Sequence, residues 1–272
     1  MSKFFGIATV FVLHGGGLHE FTRRFPSWSK RVLRRSDVVV TPSKFLARSA
    51  QNHGLPTHVI PNVIDLADYQ FRLRRNIDPR MIWMRTFHSI YNPAMALRVL
   101  DIVRSRKPDA TLVMAGVDKG MEDQIKILAR QMGLEGIVTF PGFLDQEAKL
   151  TVFSDGDIYL NTNNVDNMPV SVVEACAMGL PVVATNVGGI PDLISDGLDG
   201  ILVPADDEQK MADAVLRLLD DPELAERLSR NGRVLAERSS WESVRKQWEE
   251  IFAEVTGKAG SPSTERAAVT TH

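Results

Sequence analysis

With 272 residues, 44% of them hydrophobic, the chain can bury a substantial core as one large domain or two smaller ones, which excludes a largely disordered protein. Its 32 Lys and Arg against 34 Asp and Glu give no overall basic character, so nucleic acid is not expected as a partner. The single Cys176 excludes an internal disulfide and points to a reducing, cytoplasmic compartment. In chain order, the first apolar stretch, ending in VFVL, runs for only about ten residues before the glycines of HGGG. That is short of the roughly 20 a spanning helix needs. It also lacks the small-residue cleavage pattern of a signal peptide. Residues 7–13 are therefore expected as a buried strand. Eight further β-branched or apolar runs follow: 37–41, 57–60, 81–84, 111–116, 137–140, 157–161, 181–185 and 200–203. Helical segments alternate with them, the pattern of βαβ units feeding a parallel sheet covered on both faces.

The helices carry punctuation. Thr41 with Pro42 predicts a start and Gly54 a stop; Pro169 and Gly179 bracket VSVVEACAM; Asp221 with Pro222 opens PELAERLSRNG; Ser239 with Glu242 reads as a capping box for WESVRKQWEEIFAEV. The charged, turn-like residues 68–79 separate three early strands from six later ones. This predicts a first unit over 1–75, a second over 76–257 that includes the terminal helices, and a disordered tail over 258–272.

The sharpest local signal is DNMPVSVVEACAMGLPVVATNVGGIPDLI, residues 166–194. It places Asp166 on a loop, Glu174 on the following helix, and both near the carboxyl edge of a parallel sheet, where open α/β folds bind ligands. A carboxylate there accepts hydrogen bonds from vicinal hydroxyls, which suits Glu174 to a ribose and Asp166 to a sugar. The amides of Gly188 and Gly189, ahead of a helix near Pro191, suit an anion. Plainer readings stand beside these: Glu174 as a solvated carboxylate, Asp166 as a helix cap, and the glycines as a tight turn.

This stretch resembles the acidic motif of the retaining GT-B transferases called glycosyltransferase family four, in which two acids are separated by seven residues. The likeness extends to TPSKFLARSAQNHG (41–54), IPNVIDLADY (60–69), VTFPGFLDQEAKLTVFSDGDIYLNT (138–162) and NVGGIPDLISDGLDGILVPADD (186–207), collinear over most of residues 10–255. It implies an α/β chain of the GT-B type, with two Rossmann-like domains, the C-terminal one complete and the N-terminal one partial. It further implies transfer of a hexosyl unit from a nucleoside diphosphate sugar to an acceptor hydroxyl of a glycan, lipid or small molecule, with retention at the anomeric carbon. Glu174 would bind the nucleotide ribose and Asp166 the donor sugar. Phe140, Gly142 and Phe143 match the loop beside the base. Val170, Gly188 and Gly189 fall among donor-binding positions, and His14 matches the histidine that faces the sugar. Neither cofactor nor metal is expected.

Three departures matter. Asp166 stands where the family has Glu, a carboxylate shorter by roughly 1.5 Å. Arg85 in WMRTFHSIYNP supplies the arginine that neutralises the leaving diphosphate, but Tyr91 occupies the place of the accompanying lysine, which weakens electrostatic stabilisation of that group. Only about 70 residues precede the expected boundary, fewer than a whole N-terminal domain; a late start, a remnant, or a second protein that supplies the rest would each account for it. The competing reading is a catalytically impaired nucleotide-sugar-binding remnant or regulatory module. An oxidoreductase is disfavoured because no GxGxxG follows an early strand. Residues 21–35 interleave Phe21, Phe25 and Trp28 with six basic residues, which reads as a solvated helix face or as a peripheral contact at the inner membrane face.

Overall fold

The computed structural model describes residues 7–15, 18–51 and 56–257. Gly54 and the segment 258–272, for which a helix stop and a disordered tail are expected, lie outside them.

All nine expected strands form, but the first is not the buried strand expected over 7–13: it spans only Val10–Val12, with Val12 42% exposed. Three make a small parallel sheet in the order β1 (Val10–Val12), β2 (Val38–Thr41), β3 (Thr57–Val59). Six more are β4 (Arg80–Met84), β5 (Thr111–Ala115), β6 (Val138–Gly142), β7 (Ile158–Asn161), β8 (Val182–Thr185) and β9 (Ile201–Val203). They form a second sheet, all parallel, in the order β6-β5-β4-β7-β8-β9. The strand order reverses direction between β4 and β7. That topological switch opens a crevice beyond the carboxyl ends of these two strands.

The central strands are apolar on both faces because helices cover both. Met81 and Trp83 of β4, with Ile158 and Leu160 of β7, turn to one core; Ile82 and Met84, with Tyr159, turn to the other. The first core is closed by α4 (Pro93–Arg104), α5 (Glu122–Gln131) and α9 (Glu208–Asp220). The second is closed by α6 (Gln146–Asp155), α7 (Val170–Ala177) and the short α8 (Ile190–Leu193). Helix α10 (Pro222–Glu237) serves both, with Leu224 and Leu228 at one end and Leu235 and Ala236 at the other. Period-two alternation is thus hidden in the sequence, since neither face of these strands meets water.

The small sheet is also covered twice. Val39 packs with Leu33 of α2 (Pro26–Leu33) and Ala50 of α3 (Lys44–Gln51), next to the short α1 (Leu18–Arg24). Val38 and Val40 face Val244 and Ile251 of α11 (Trp241–Thr256), so the last helix returns to the first sheet.

Several boundaries differ from the sequence expectation. Helix α3 begins at Lys44, because Pro42 still lies in the turn where Thr41 Oγ1 donates to the Ser43 carbonyl. Ser43 Oγ, in turn, accepts from the Leu46 N–H, and the Asp192 carboxylate accepts from the Phe45 N–H at 2.7 Å. The cap of α11 is Ser240, which accepts from the Ser243 N–H, while the Ser239 carbonyl takes the Ile64 N–H. Asp221 caps α10 as expected, and the helix runs through Gly232 to Glu237 without ending there.

The stretch 68–79 is extended but tightly held. Arg74, 1% exposed, donates to the carbonyls of Met178, Phe153 (2.8 Å) and Gly156 (3.1 Å), joining the last turns of α6 and α7. Burial, reinforced by the neighbouring Arg72, lowers its pKa to about 9.

Candidate functional site

At the switch point, β4 runs directly into Arg85 and β7 into the loop 162–169 that carries Asn163 and Asp166. Their close approach depends on two glycine positions. Gly116, at φ +148°, follows β5, and a Cβ there would sit 2.0 Å from the Arg85 carbonyl oxygen. Gly188, at φ +58°, lies under the acidic loop, where a Cβ would sit 2.0 Å from the Asp166 carbonyl oxygen. Only glycine combines such backbone angles with such contacts.

Arg85 and Asp166 form an ion pair, Nη2 to Oδ2 at 2.6 Å. Ser171 Oγ lies 3.4 Å from Arg85 Nη1, and the Tyr91 ring lies under the guanidinium, its centroid 4.2 Å from Cζ. Asp166 also accepts from Asn163 Nδ2 at 2.6 Å and from the Asn167 N–H at 2.7 Å. Burial pushes the Asp166 carboxyl above the ordinary carboxylate range, against the opposing pull of Arg85 and these two donors.

Glu174 lies in the second turn of α7 and is 9% exposed. Its Oε1 accepts from Lys149 Nζ at 2.5 Å and from the Tyr69 hydroxyl at 2.8 Å. Its Oε2 accepts no hydrogen bond from the described residues. Burial raises the Tyr69 phenol well above its usual range, and the Glu174 carboxylate adds to this, so the phenol stays a donor. Arg85, Tyr91, Phe143, Lys149, Ser171 and Glu174 line one cavity of about 400 Å³. It offers two cations, the free Oε2 of Glu174, the carboxylate of Asp145, and an apolar wall formed by Phe143, Leu144 and Val117. Such a set can hold a bound anion at one end, a diol on Glu174 and a planar ring against the wall.

The expected residues distribute unevenly around this cavity. Arg85, Tyr91, Phe143 and Glu174 line it. Asp166 reaches it through Arg85. Exposed His14 comes beside the acidic loop, its carbonyl accepting from Asn167 Nδ2 at 3.1 Å. Gly142, at φ +76°, shapes the loop before Phe143 and accepts the Gly116 N–H at 2.9 Å. Phe140 packs into the core beside Phe87 and does not line the cavity. Neither does Val170, 36% exposed at the start of α7. Of the glycine pair, Gly189 departs from its expected role. The Gly189 N–H donates to the Asp166 carbonyl at 2.9 Å, and a Cβ there would lie 1.9 Å from the Asn167 carbonyl oxygen, so this amide supports the acidic loop and is not presented to an anion.

Lys149, Tyr69, Asn163 and Ser171 were not expected in the site. Asn163 and Ser171 flank the acidic motif and are findable from it. Lys149 and Tyr69 stand 25 and 105 residues from Glu174, and no spacing rule connects them. Among the described residues no group of three or more His, Cys, Asp or Glu is placed to hold a metal ion.

The family model for "Glycosyl transferases group 1" matches residues 71–235, and that for "Glycosyltransferase Family 4" matches residues 2–68. The chain is 35% identical over 151 residues to the alpha-D-kanosaminyltransferase of Streptomyces kanamyceticus, a match covering 55% of this chain and 39% of that one. It is 28% identical over 235 residues to the N-acetyl-alpha-D-glucosaminyl L-malate synthase of Bacillus anthracis, covering 82% and 61%. The matches thus span less than two thirds of the length of these relatives. Among solved structures, Anabaena HepE in complex with UDP and glucose superposes with a TM-score of 0.78 at 19% identity, covering 93% of this chain and 73% of that one. The S. aureus TarM complex with UDP superposes with a TM-score of 0.77 at 18% identity, covering 90% and 51%. At these identities the likeness establishes the fold, the paired α/β arrangement of the GT-B type.

Proposed function

The chain belongs to the glycosyl transferases group 1 family, and from that premise we propose that it serves transfer of a hexosyl unit from a nucleoside diphosphate sugar to an acceptor hydroxyl, with retention at the anomeric carbon. The observation that carries this reading is the convergence of Arg85 and Glu174 on one cavity at the sheet's switch point.

In this reading Glu174 Oε2 accepts from the ribose hydroxyls while Lys149 and Tyr69 hold Oε1. The base lies against Phe143 and the neighbouring wall. Arg85 receives the diphosphate as its bond to the anomeric carbon breaks and negative charge develops on the leaving oxygen. The acceptor oxygen bonds to that carbon on the face the diphosphate leaves, and its proton passes to the departing diphosphate oxygen, where the negative charge develops. Asp166 and His14, at the mouth of the crevice, orient the sugar. The enzyme works by positioning and charge stabilisation, the positive charge coming from its own side chains. We assign residues 1–75 to the partial acceptor-side unit, built on the small sheet, and residues 76–257 to the donor-side unit, built on the large sheet, with exchanges across that boundary: Ile64, Tyr69 and Arg74 pack with the donor-side unit, and α11 covers the small sheet. The compartment is cytoplasmic.

A thermal-shift titration with UDP, GDP, ADP and NAD tests the donor site. One nucleoside diphosphate at about one hundred times its dissociation constant should add about 2.7 kcal/mol of stability, and Glu174→Ala should abolish the shift. NAD should give none; stabilisation by NAD alone would sink the reading. A second reading, a nucleotide-sugar-binding module without turnover, is favoured by Tyr91 in place of a lysine; nucleotide binding without release of nucleoside diphosphate from the matching sugar donor would select it.

Residues 21–35 add a peripheral membrane contact to the proposal. Phe21, Phe25 and Trp28 are 41%, 45% and 56% exposed and pack ring against ring at 5.2 and 5.5 Å, with the Arg24 guanidinium on Phe25. Rings that cluster in water beside cations suit an anionic headgroup layer. No described helix is long and apolar enough to cross a membrane. Co-sedimentation with phosphatidylglycerol vesicles, lost in Phe25→Ser/Trp28→Ser, is the expected result; no binding by the unsubstituted protein removes this contact from the proposal.

A further inference from the structure

We propose that Tyr91 is a positioning residue whose ring, and not its hydroxyl, fixes the plane of the Arg85 guanidinium for the diphosphate; this rests on the donor-site reading of the cavity. A planar guanidinium held only along its edge can still tilt about that edge. Arg85 is held along its edge by Asp166 at 2.6 Å and by Ser171 at 3.4 Å. The Tyr91 ring closes the remaining freedom from the face, 4.2 Å from Cζ. The arginine side chain is 14% exposed, so the attraction between cation and ring is only weakly screened by water.

The ring itself is anchored through its backbone. Tyr91 ends a 3₁₀ turn, Ser89–Tyr91, and its carbonyl accepts from Thr162 Oγ1 at 2.8 Å; that hydroxyl also accepts from the fully buried Trp83 Nε1 at 2.9 Å. The neighbouring Ile90 carbonyl accepts from the Asn164 N–H at 2.7 Å. Asn92 then adopts a left-handed conformation, φ 47°, to enter α4 at Pro93. The turn is therefore tied to the far side of the switch point by β7's own loop. The Tyr91 hydroxyl makes no hydrogen bond with the described residues. Where the resemblance expects a second cation, this chain places a platform for the first one. A lysine here would repel Arg85; the ring holds it in place.

Two substitutions separate ring from hydroxyl. Tyr91→Phe should bind UDP, GDP or ADP, whichever stabilises the unsubstituted protein, within about twofold of it, and Tyr91→Leu about three- to tenfold more weakly. A loss in Tyr91→Phe as large as in Tyr91→Leu would overturn the proposal, because the hydroxyl would then be the acting group. A ligand-free measurement keeps the idea independent of the donor reading. Side-chain NMR of the full chain, with the Arg85 signals assigned by their absence in Arg85→Lys, should show hindered guanidinium rotation in the unsubstituted protein and in Tyr91→Phe, and measurably faster rotation in Tyr91→Leu, where only the edge contacts to Asp166 and Ser171 remain. Equal rotation in all three defeats the clamp even if nucleotide binds. Hindered rotation lost only in Tyr91→Leu supports it even if no nucleotide binds, in which case the donor reading alone has failed. Should Tyr91→Leu not fold, Tyr91→Met, of similar reach without a ring, takes its place in both measurements.

Discussion

The carboxylate of Glu174 is nearly buried, and its two oxygens have different duties. Oε1 is held by Lys149 and Tyr69, while Oε2 is left to the cavity. Removing one partner of such a pair leaves the other charge desolvated without compensation. Lys149→Met is therefore expected to lower stability by about 1–3 kcal/mol, less than for a fully enclosed pair because the lysine side chain is still 18% exposed. The double substitution Lys149→Met/Glu174→Gln should recover most of that loss in urea unfolding, since neither side chain is then charged. A double variant no more stable than Lys149→Met would show that the pair carries no such coupling. At this scale the sequence was informative about the acids and silent about their partners. Asp166 and Glu174 belong to one contiguous motif, whereas Lys149 and Tyr69 are brought to it by α6 and by the extended strap before β4. The expected anion role of Gly189 fails for a related reason: a glycine pair announces close backbone approach, but not whether the neighbour is a phosphate or, as here, the protein's own Asp166 carbonyl.

Between residues and the whole chain stand the strands and helices, and there the reading of the sequence was most complete. Strands such as β4, β7 and β8 are buried on both faces, and a run of β-branched and apolar residues is what such burial demands. Ends were less legible. Pro42 and Ser239 carry the residue types of a helix start, but each lies one or two residues early, because the chain first completes another hydrogen bond, local to the turn in the first case and long-range in the second. Ser43 is the acceptor in one case, and the Ser239 carbonyl, taken by Ile64, in the other. Gly232 shows the converse, a residue type that often stops helices lying inside α10 without ending it. The stretch 68–79, charged and turn-like in sequence and read there as the boundary between units, is itself closely packed. Arg74 in that stretch is among the most enclosed side chains of the protein, and its guanidinium fastens the ends of the two helices that carry Lys149 and Glu174.

Across the whole molecule, the least predictable feature is the return of α11 to the first sheet. Its apolar stripe is visible in WESVRKQWEEIFAEV, but a stripe does not say which sheet it covers. Val244 and Ile251 of the helix close over Val38, Val40 and Ile60, all at most 5% exposed. Each such side chain contributes about 1.5–3 kcal/mol on burial. Five together are comparable with the ~5–15 kcal/mol net stability of an entire domain. A three-stranded sheet cannot forgo that cover. Deleting the chain after Ser240 is therefore expected to unfold β1 to β3 while the six-stranded sheet, whose two cores use no residue of α11, persists. Hydrogen exchange read by mass spectrometry would show protection lost over residues 38–60 and kept over 80–116 and 157–185. Protection lost throughout would mean that the two sheets form one cooperative unit, and the division of the chain into an acceptor-side and a donor-side domain would then have no counterpart in its folding. Protection retained over both would mean that α11 contributes little to the small sheet, leaving α2 and α3 on the opposite face to hold it.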